Sequence, residues 1–308
     1  MQELPETAAY ERAFILEREK LRAWRHIGLL LLTLITATIA GSLYPFGPLM
    51  IFPEADPKSW KEVFQFLIAA PASYISLLVS AVGYLTSDWA NLARALSFSG
   101  SLLFILVAHE MGHYVACRIY RVDATLPYFI PTPPLIGPAG TFGAFIKIRS
   151  PMPSRKAVFD IGVAGPIAGF IALLPIAFLG IFTAEKAPPE VVANYQGIVF
   201  SDPLLMQAIG WLAGTGTDAI YGNSFYYAAW VGLLVTALNL IPSGQLDGGH
   251  AIYAVCGERV HYWTGRIAFA IMAVLSVLGM FYFNSPSGFL IAILLGIMMR
   301  IGHPEPWD

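Results

Sequence analysis

Charge is scarce in this chain. Only 12% of its 308 residues are charged, against 56% hydrophobic, and the mean hydropathy is +0.64. A soluble domain carries about a quarter charged residues. Half that complement, together with long apolar runs, excludes an ordinary soluble globule and points to the bilayer. A net charge of −2 and a pI near 6.3 leave no basic field for a nucleic-acid partner. Cysteine is almost absent. Cys117 and Cys256 are too few and too far apart for a disulfide framework or a paired-cysteine metal site. Each reads as a small apolar side chain. The polar, acidic start of the chain shows no cleavable signal peptide.

Apolar runs are abundant. Stretches of spanning length fall at about 27–46, 98–118, 157–182, 225–246, 267–284 and 286–301. A further run, 62–86, is interrupted by Pro71, Ser73, Ser76 and Ser80, so charge must decide its status. With 62–86 outside the membrane and a cytoplasmic N-terminus, the outer side holds only Lys58, Lys61, Arg94 and Lys186 of the 18 Lys and Arg. If 62–86 crosses, that inner excess of positive charge is lost. The expectation is an all-α polytopic membrane protein of about six transmembrane helices, with 62–86 on or dipping into the outer interface.

One interval departs from the helical pattern. Leu126–Leu135, between spans two and three, is too rich in proline for a helix or a central strand. In the residues that follow, Phe142, Ala144, Ile146 and Ile148 alternate with Gly143, Phe145, Lys147 and Arg149. Period-two alternation predicts a strand or short β-hairpin associated with the membrane, whose edge could pair with an extended peptide. An ordinary cytoplasmic loop is the alternative. Lys147 and Arg149 read as a positive inner flank, with substrate alignment as the second reading.

The second span holds His109-Glu110-Met111-Gly112-His113 inside an otherwise apolar run. Two His four apart share one helix face, so their imidazoles can bind one Zn²⁺ and leave Glu110 free as a general base. Ionisable groups at membrane depth are expensive and mark function. A catalytic zinc takes three protein ligands and keeps a position for water. The best remaining donor is Asp247, in Asn239-Leu-Ile-Pro-Ser-Gly-Gln-Leu-Asp-Gly-Gly-His250 at the inner end of the fourth span. Pro242 and Gly244 break the helix there, and Gly248-Gly249 lets backbone approach closely. His250 reads as an ordinary loop histidine.

These two motifs, HExxH and NxxPxxxLDG, resemble those of the site-2 protease family of intramembrane zinc metalloproteases, peptidase family M50. The likeness extends to Gly140–Ala144 and to Ala164-Gly-Pro-Ile-Ala-Gly169, and so spans roughly 98–256. The resemblance implies that His109, His113 and Asp247 hold the zinc and that Glu110 is the catalytic base. It makes Asn239 a donor to the oxyanion, although an amide at a helix break equally caps backbone groups. It also implies a first core helix running from outside to inside, in agreement with the charge count. Many members carry Asn in the central helix where this chain has Gly169.

The function expected on these grounds is hydrolysis of peptide bonds in or near transmembrane segments of membrane-tethered proteins. Zinc lowers the pKa of its water towards about 7 and polarises the scissile carbonyl, while Glu110 carries the proton. Substrates should be spans of low helix stability, since a stable helix in lipid hides its amides. A transporter and a metal-binding, non-proteolytic membrane protein are the rival readings. The first predicts internal repeats, and the HExxH helix has no counterpart downstream. The second predicts loss of one of His109, Glu110, His113 or Asp247, and all four are present. The chain divides into a cytoplasmic segment 1–26, a first span with outer segment 27–97, a catalytic core 98–256 and C-terminal spans with a tail, 257–308. A bacterial cell membrane is the expected location, with the plastid membrane of plant relatives as alternative. Besides lipid and substrate, no partner is implied, and the oligomeric state is not readable from the chain.

Overall fold

The computed structural model describes residues 6–50, 59–135, 137–188, 190, 201–217, 220–283 and 287–299. The extreme N-terminus and the C-terminal tail of the expected domains lie outside these residues.

Polar residues mark where the apolar helices begin. Asp88 caps helix α3 (Trp89–Ile119) by accepting from the Ala90 N–H at 3.0 Å. Ser154 does the same for α4 (Arg155–Phe182) through the Ala157 N–H, and Asn223 for α6 (Ser224–Asn239) through the Tyr226 N–H. Each cap satisfies a backbone donor that the first helical turn leaves without a partner. Before α3 come α1 (Glu6–Ser42) and α2 (Trp60–Ser87). The short α5 (Leu204–Leu212) lies between α4 and α6, and α7 (Asp247–Cys256), α8 (Glu258–Phe283) and α9 (Ser287–Met298) complete the series. Strands β3 (Glu185–Lys186) and β4 (Ile220–Tyr221) form a minimal antiparallel pair near the α4 C-terminus.

Among the described residues, five helical stretches are long and apolar enough to cross a membrane: Ala23–Ser42, Leu67–Ser87, Trp89–Ile119, Arg155–Phe182 and Glu258–Tyr282. The chain is a polytopic membrane protein, all-α but for its small strand pairs. The stretch 62–86, expected on or dipping into the outer interface, is helical throughout and of spanning length. It is part of one continuous helix through Pro71, and it turns back at Asp88 alongside α3, where Asn91 Nδ2 donates to the Tyr84 carbonyl. Proline removes only one helical donor, whereas an unwound backbone in lipid would leave many groups unsatisfied, so the helix continues. The outward faces of α1, α2 and α8 are apolar, with Leu31, Ile35, Ile75, Val79, Ile271 and Val274 exposed.

The core joins α3, α4 and α6. Phe98, Leu102, Leu103 and Leu106 of α3 pack on Ala228 and Val231 of α6, and Ile105 meets Leu173 and Ala177 of α4 with Ala229 of α6. Helices α3 and α4 approach so closely at Gly112 that a Cβ there would lie 2.4 Å from the Ala164 carbonyl oxygen. Small residues at such crossings are how helices pack in lipid. At the opposite end of the core, Cys117 is buried among Val122, Ala157 and Ile161, as a small apolar side chain.

A β-hairpin inserts into this bundle. Strand β1 (Tyr128–Pro131) pairs antiparallel with β2 (Thr141–Phe145), with an irregularity between Phe129 and Pro131. The partner strand thus comes from the proline-rich run, where a bulge and a two-stranded ribbon tolerate Pro131. The pairing resumes at Ala124 and Ile148, so the ribbon continues to Arg149. Phe129 and Ala139 sit in the core beside Phe98 and Leu102. Non-helical backbone at that depth needs protein partners. Helix α1 supplies several: Thr36 Oγ1 donates to the Gly140 carbonyl at 2.8 Å, and His26 Nδ1 to the Pro127 carbonyl at 2.9 Å. Tyr74 of α2 donates to the Pro134 carbonyl at the hairpin turn.

Candidate functional site

His109 and His113 lie one turn apart on the buried face of α3, turned towards α4 and α7. The His113 ring is oriented by its second nitrogen: Nδ1–H donates to the Ile161 carbonyl of α4 at 2.7 Å. That bond leaves Nε2 as a bare lone pair, the form needed to ligate a metal. Asp247 opens α7 immediately after the break made by Pro242 and Gly244. Gly248 and Gly249 lie so close to the preceding loop that a Cβ would sit 2.1 Å from the Leu240 oxygen and 2.4 Å from the Gly244 oxygen. The same Gly244 oxygen accepts from His261 Nε2 of α8 at 2.9 Å, which fixes the loop ahead of Asp247.

The three side chains converge. His109 Nε2 lies 3.1 Å from Asp247 Oδ2, His113 Nε2 lies 3.2 Å from Asp247 Oδ1, and the two Nε2 atoms are 3.2 Å apart. Asp247 Oδ2 is buried and has no hydrogen-bond partner. Lone pairs facing one another at these distances, with an orphaned carboxylate oxygen, fit one small cation. A tetrahedral zinc with bonds of about 2.0–2.1 Å holds its ligands about 3.3 Å apart. The donor set also suits zinc: two imidazoles and a carboxylate, leaving one position open.

Glu110 lies beside the donors without sharing their focus. Its carboxylate is buried against α3 and faces the Ile146 backbone N–H just past β2. Asn239, the last residue of α6, places Nδ2 3.4 Å from His109 Nε2. All five predicted site residues line one cavity of about 820 Å³, together with residues 144–152 of the hairpin. His250, read from the sequence as a loop residue, also lines it, one turn beyond Asp247 on α7.

What the sequence did not reveal is how α4 shapes the ligand pocket. A Cβ at Gly165 would lie 2.0 Å from His113 Nε2, and one at Gly169 would lie 3.1–3.2 Å from His109 Cβ and Nδ1. Gly169 is therefore pressed against a ligand ring. Gly165→Ala should push His113 off its position and weaken zinc binding by about 10–100-fold, the usual cost of disturbing a ligand's support. Metal analysis of purified variant checks this; full zinc occupancy at sub-micromolar free zinc would show that the pocket relaxes around the methyl group.

A helical membrane bundle with a two-His, one-Asp donor set beside a free glutamate defines the class as metallopeptidase-like. The comparisons agree. The profile of peptidase family M50 matches residues 97–281, more than half of the chain, and the chain belongs to that family. It is similar to the probable zinc metalloprotease EGY1, chloroplastic, of Arabidopsis thaliana, at 32% identity over 191 residues, which is 60% of this chain and 34% of that protein. The corresponding EGY2 of the same plant is 29% identical over 188 residues, 59% of this chain and 32% of the relative. The chain thus spans about a third of the length of the plant relatives it matches. A solved structure, the Site-2 Protease from Methanocaldococcus jannaschii, covers 76% of this chain and 91% of its own at 17% identity and a TM-score of 0.37.

Proposed function

We propose that this protein is an intramembrane zinc metalloprotease that hydrolyses peptide bonds in or near transmembrane segments of membrane-tethered proteins. The observation that carries this is the meeting, in one cavity, of three metal donors, a separate buried carboxylate and a β-ribbon edge. In this reading His109, His113 and Asp247 hold the zinc, which when bound supplies Lewis acidity and an activated water. Glu110 accepts the water's proton and returns it to the leaving amine nitrogen. Asn239 Nδ2–H donates to the oxyanion that develops on the scissile carbonyl. The core is 98–256, flanked by 27–97 and 257–308, with the Lys147 end of the hairpin at the cytoplasmic face. The membrane is a bacterial cell membrane or, as in the plant relatives, a plastid one.

The hairpin supplies the surface that unwinds a substrate. Thr125 N–H donates to the Lys147 carbonyl at 3.0 Å, and Arg149 N–H to the Asp123 carbonyl at 2.8 Å. Residues 147 and 149 thus spend their backbone groups inside the ribbon. In an extended strand the groups of 146 and 148 point the other way, here towards the edge beside Glu110. A peptide paired there is held extended for attack.

Purified protein should cleave a membrane-tethered substrate only with zinc present, losing activity to a chelator and regaining it with one equivalent of zinc. Activity indifferent to metal removal would end the proposal. Ile148→Pro deletes one donor on the free edge and no bond inside the ribbon, so it should slow cleavage about three- to tenfold, the worth of one hydrogen bond. Phe145→Pro, which also breaks the ladder to Tyr128, should slow it further, both with zinc near the parent level. Parent rates in both variants would place substrate alignment elsewhere.

A further inference from the structure

The far end of the ribbon carries chemistry that hydrolysis does not use. Along 145–149 the side chains alternate between two faces. Ile146 and Ile148 pack against the cluster of Ala116, Cys117, Val122, Ala157 and Ile161, whereas Phe145, Lys147 and Arg149 are exposed on the opposite face. Lys147 and Arg149 nevertheless line the cavity that holds Glu110 and Asp247. Among the described residues, neither has a carboxylate within ion-pair distance. Asp247 is committed to the two histidines, and Glu110 lies at Ile146. The cavity mouth is therefore left with two uncompensated positive charges.

The backbone that carries these charges is held in place. The Lys147 N–H donates to Thr125 Oγ1 at 3.0 Å, its carbonyl accepts from Thr125, and the Arg149 N–H donates to Asp123. Two residues of strand set the Cα atoms of Lys147 and Arg149 about 6.6 Å apart, the same repeat that separates like-facing residues on any strand paired beside them.

We propose that Lys147 and Arg149 select substrates whose inner flank carries two acidic side chains two residues apart, close to the scissile bond. The inference rests on the protease reading and names its substrate class. A peptide added to the edge beside Ile146 and Ile148 turns every second side chain to the face of Lys147 and Arg149. Opposite charges facing one another across strands stabilise the pairing, and like charges oppose it. Ordinary membrane helices carry Lys and Arg at their inner ends. The same two residues that draw in an acidic flank therefore repel the flank that most resident helices present, and specificity comes as much from rejection as from attraction.

The test uses the full zinc-loaded chain in liposomes and synthetic membrane-tethered peptides. Each peptide has an apolar span broken by Gly-Pro and an inner flank bearing Asp-x-Asp, Asn-x-Asn or Lys-x-Lys, stepped one residue at a time. Relative kcat/KM is measured for the parent and for Lys147→Glu/Arg149→Glu, and binding is measured on zinc-loaded Glu110→Gln. The parent should prefer Asp over Asn over Lys, by up to about fivefold per charge pair. The preference should appear at alternate steps, and the double variant should invert it. Cleavage at equal rates for all three flanks, or an unchanged order in the double variant, overturns the proposal and leaves the protease reading standing. Ordered binding without cleavage of any peptide by the parent does the reverse. Neither binding order nor cleavage removes both.

Discussion

Glu110→Gln should leave zinc bound and reduce cleavage by a factor of about 10²–10⁴, the usual cost of losing a positioned base. Glu110 is buried beside the donor set, but it is His109, His113 and Asp247 whose ligating atoms gather within 4.8 Å of one another. A glutamine keeps the size and an oxygen for the Ile146 N–H, yet cannot accept a proton from water. The test pairs metal analysis with turnover of a membrane-tethered substrate. Turnover at the parent rate would remove Glu110 as the catalytic base, and zinc lost along with activity would make Glu110 a ligand instead.

Asp247→Ala should cost the metal itself. It leaves two imidazoles, and zinc affinity should fall by more than the roughly 10–100-fold that loss of a supporting residue alone brings. Cleavage should vanish with the ion. Asp247→Glu keeps the carboxylate, but its extra methylene crowds a site whose atoms are already 3.1–3.2 Å apart. That variant should hold some zinc in a displaced position and cleave slowly. Stoichiometric zinc and full activity in the Ala variant would transfer the third position to another donor, of which His250, on the same cavity wall, is the nearest in sequence.

The parts of this site that could be read from the chain are those written in short spacings. His109 and His113 are one helical turn apart, so their common face follows from helix geometry alone. Asp247 was legible because a helix break and paired glycines flank it. The Ile161 carbonyl and Gly165 were not legible, because their role depends on which turn of α4 meets α3, a tertiary register that no local pattern records. The hairpin shows the same divide. Alternation at 142–149 announced one strand, but its partner lay in a proline-rich run whose pairing depends on the helices around it. Helix α2 was legible as an apolar run, but its continuity through Pro71 was not, because a single proline removes only one helical donor.

The order in which the ligands enter the membrane has a bearing on how the protein is made. His109 and His113 arrive together on one helix, but they face a gap until α4 has docked and the helix pair α6–α7 has brought in Asp247. At roughly 5–20 residues per second, a nascent chain waits roughly 7–27 s with two ligands in place and the third still to be synthesised. The ribbon differs: its carbonyls find partners on α1 and α2, which precede it, and only Ile146 and Ile148 wait for Ala157 and Ile161 of α4. A chain that has not yet made α7 therefore lacks the third donor for a metal. On the proposed reading, cleavage waits for completion of the bundle, and other helices being inserted nearby are not exposed to a premature blade.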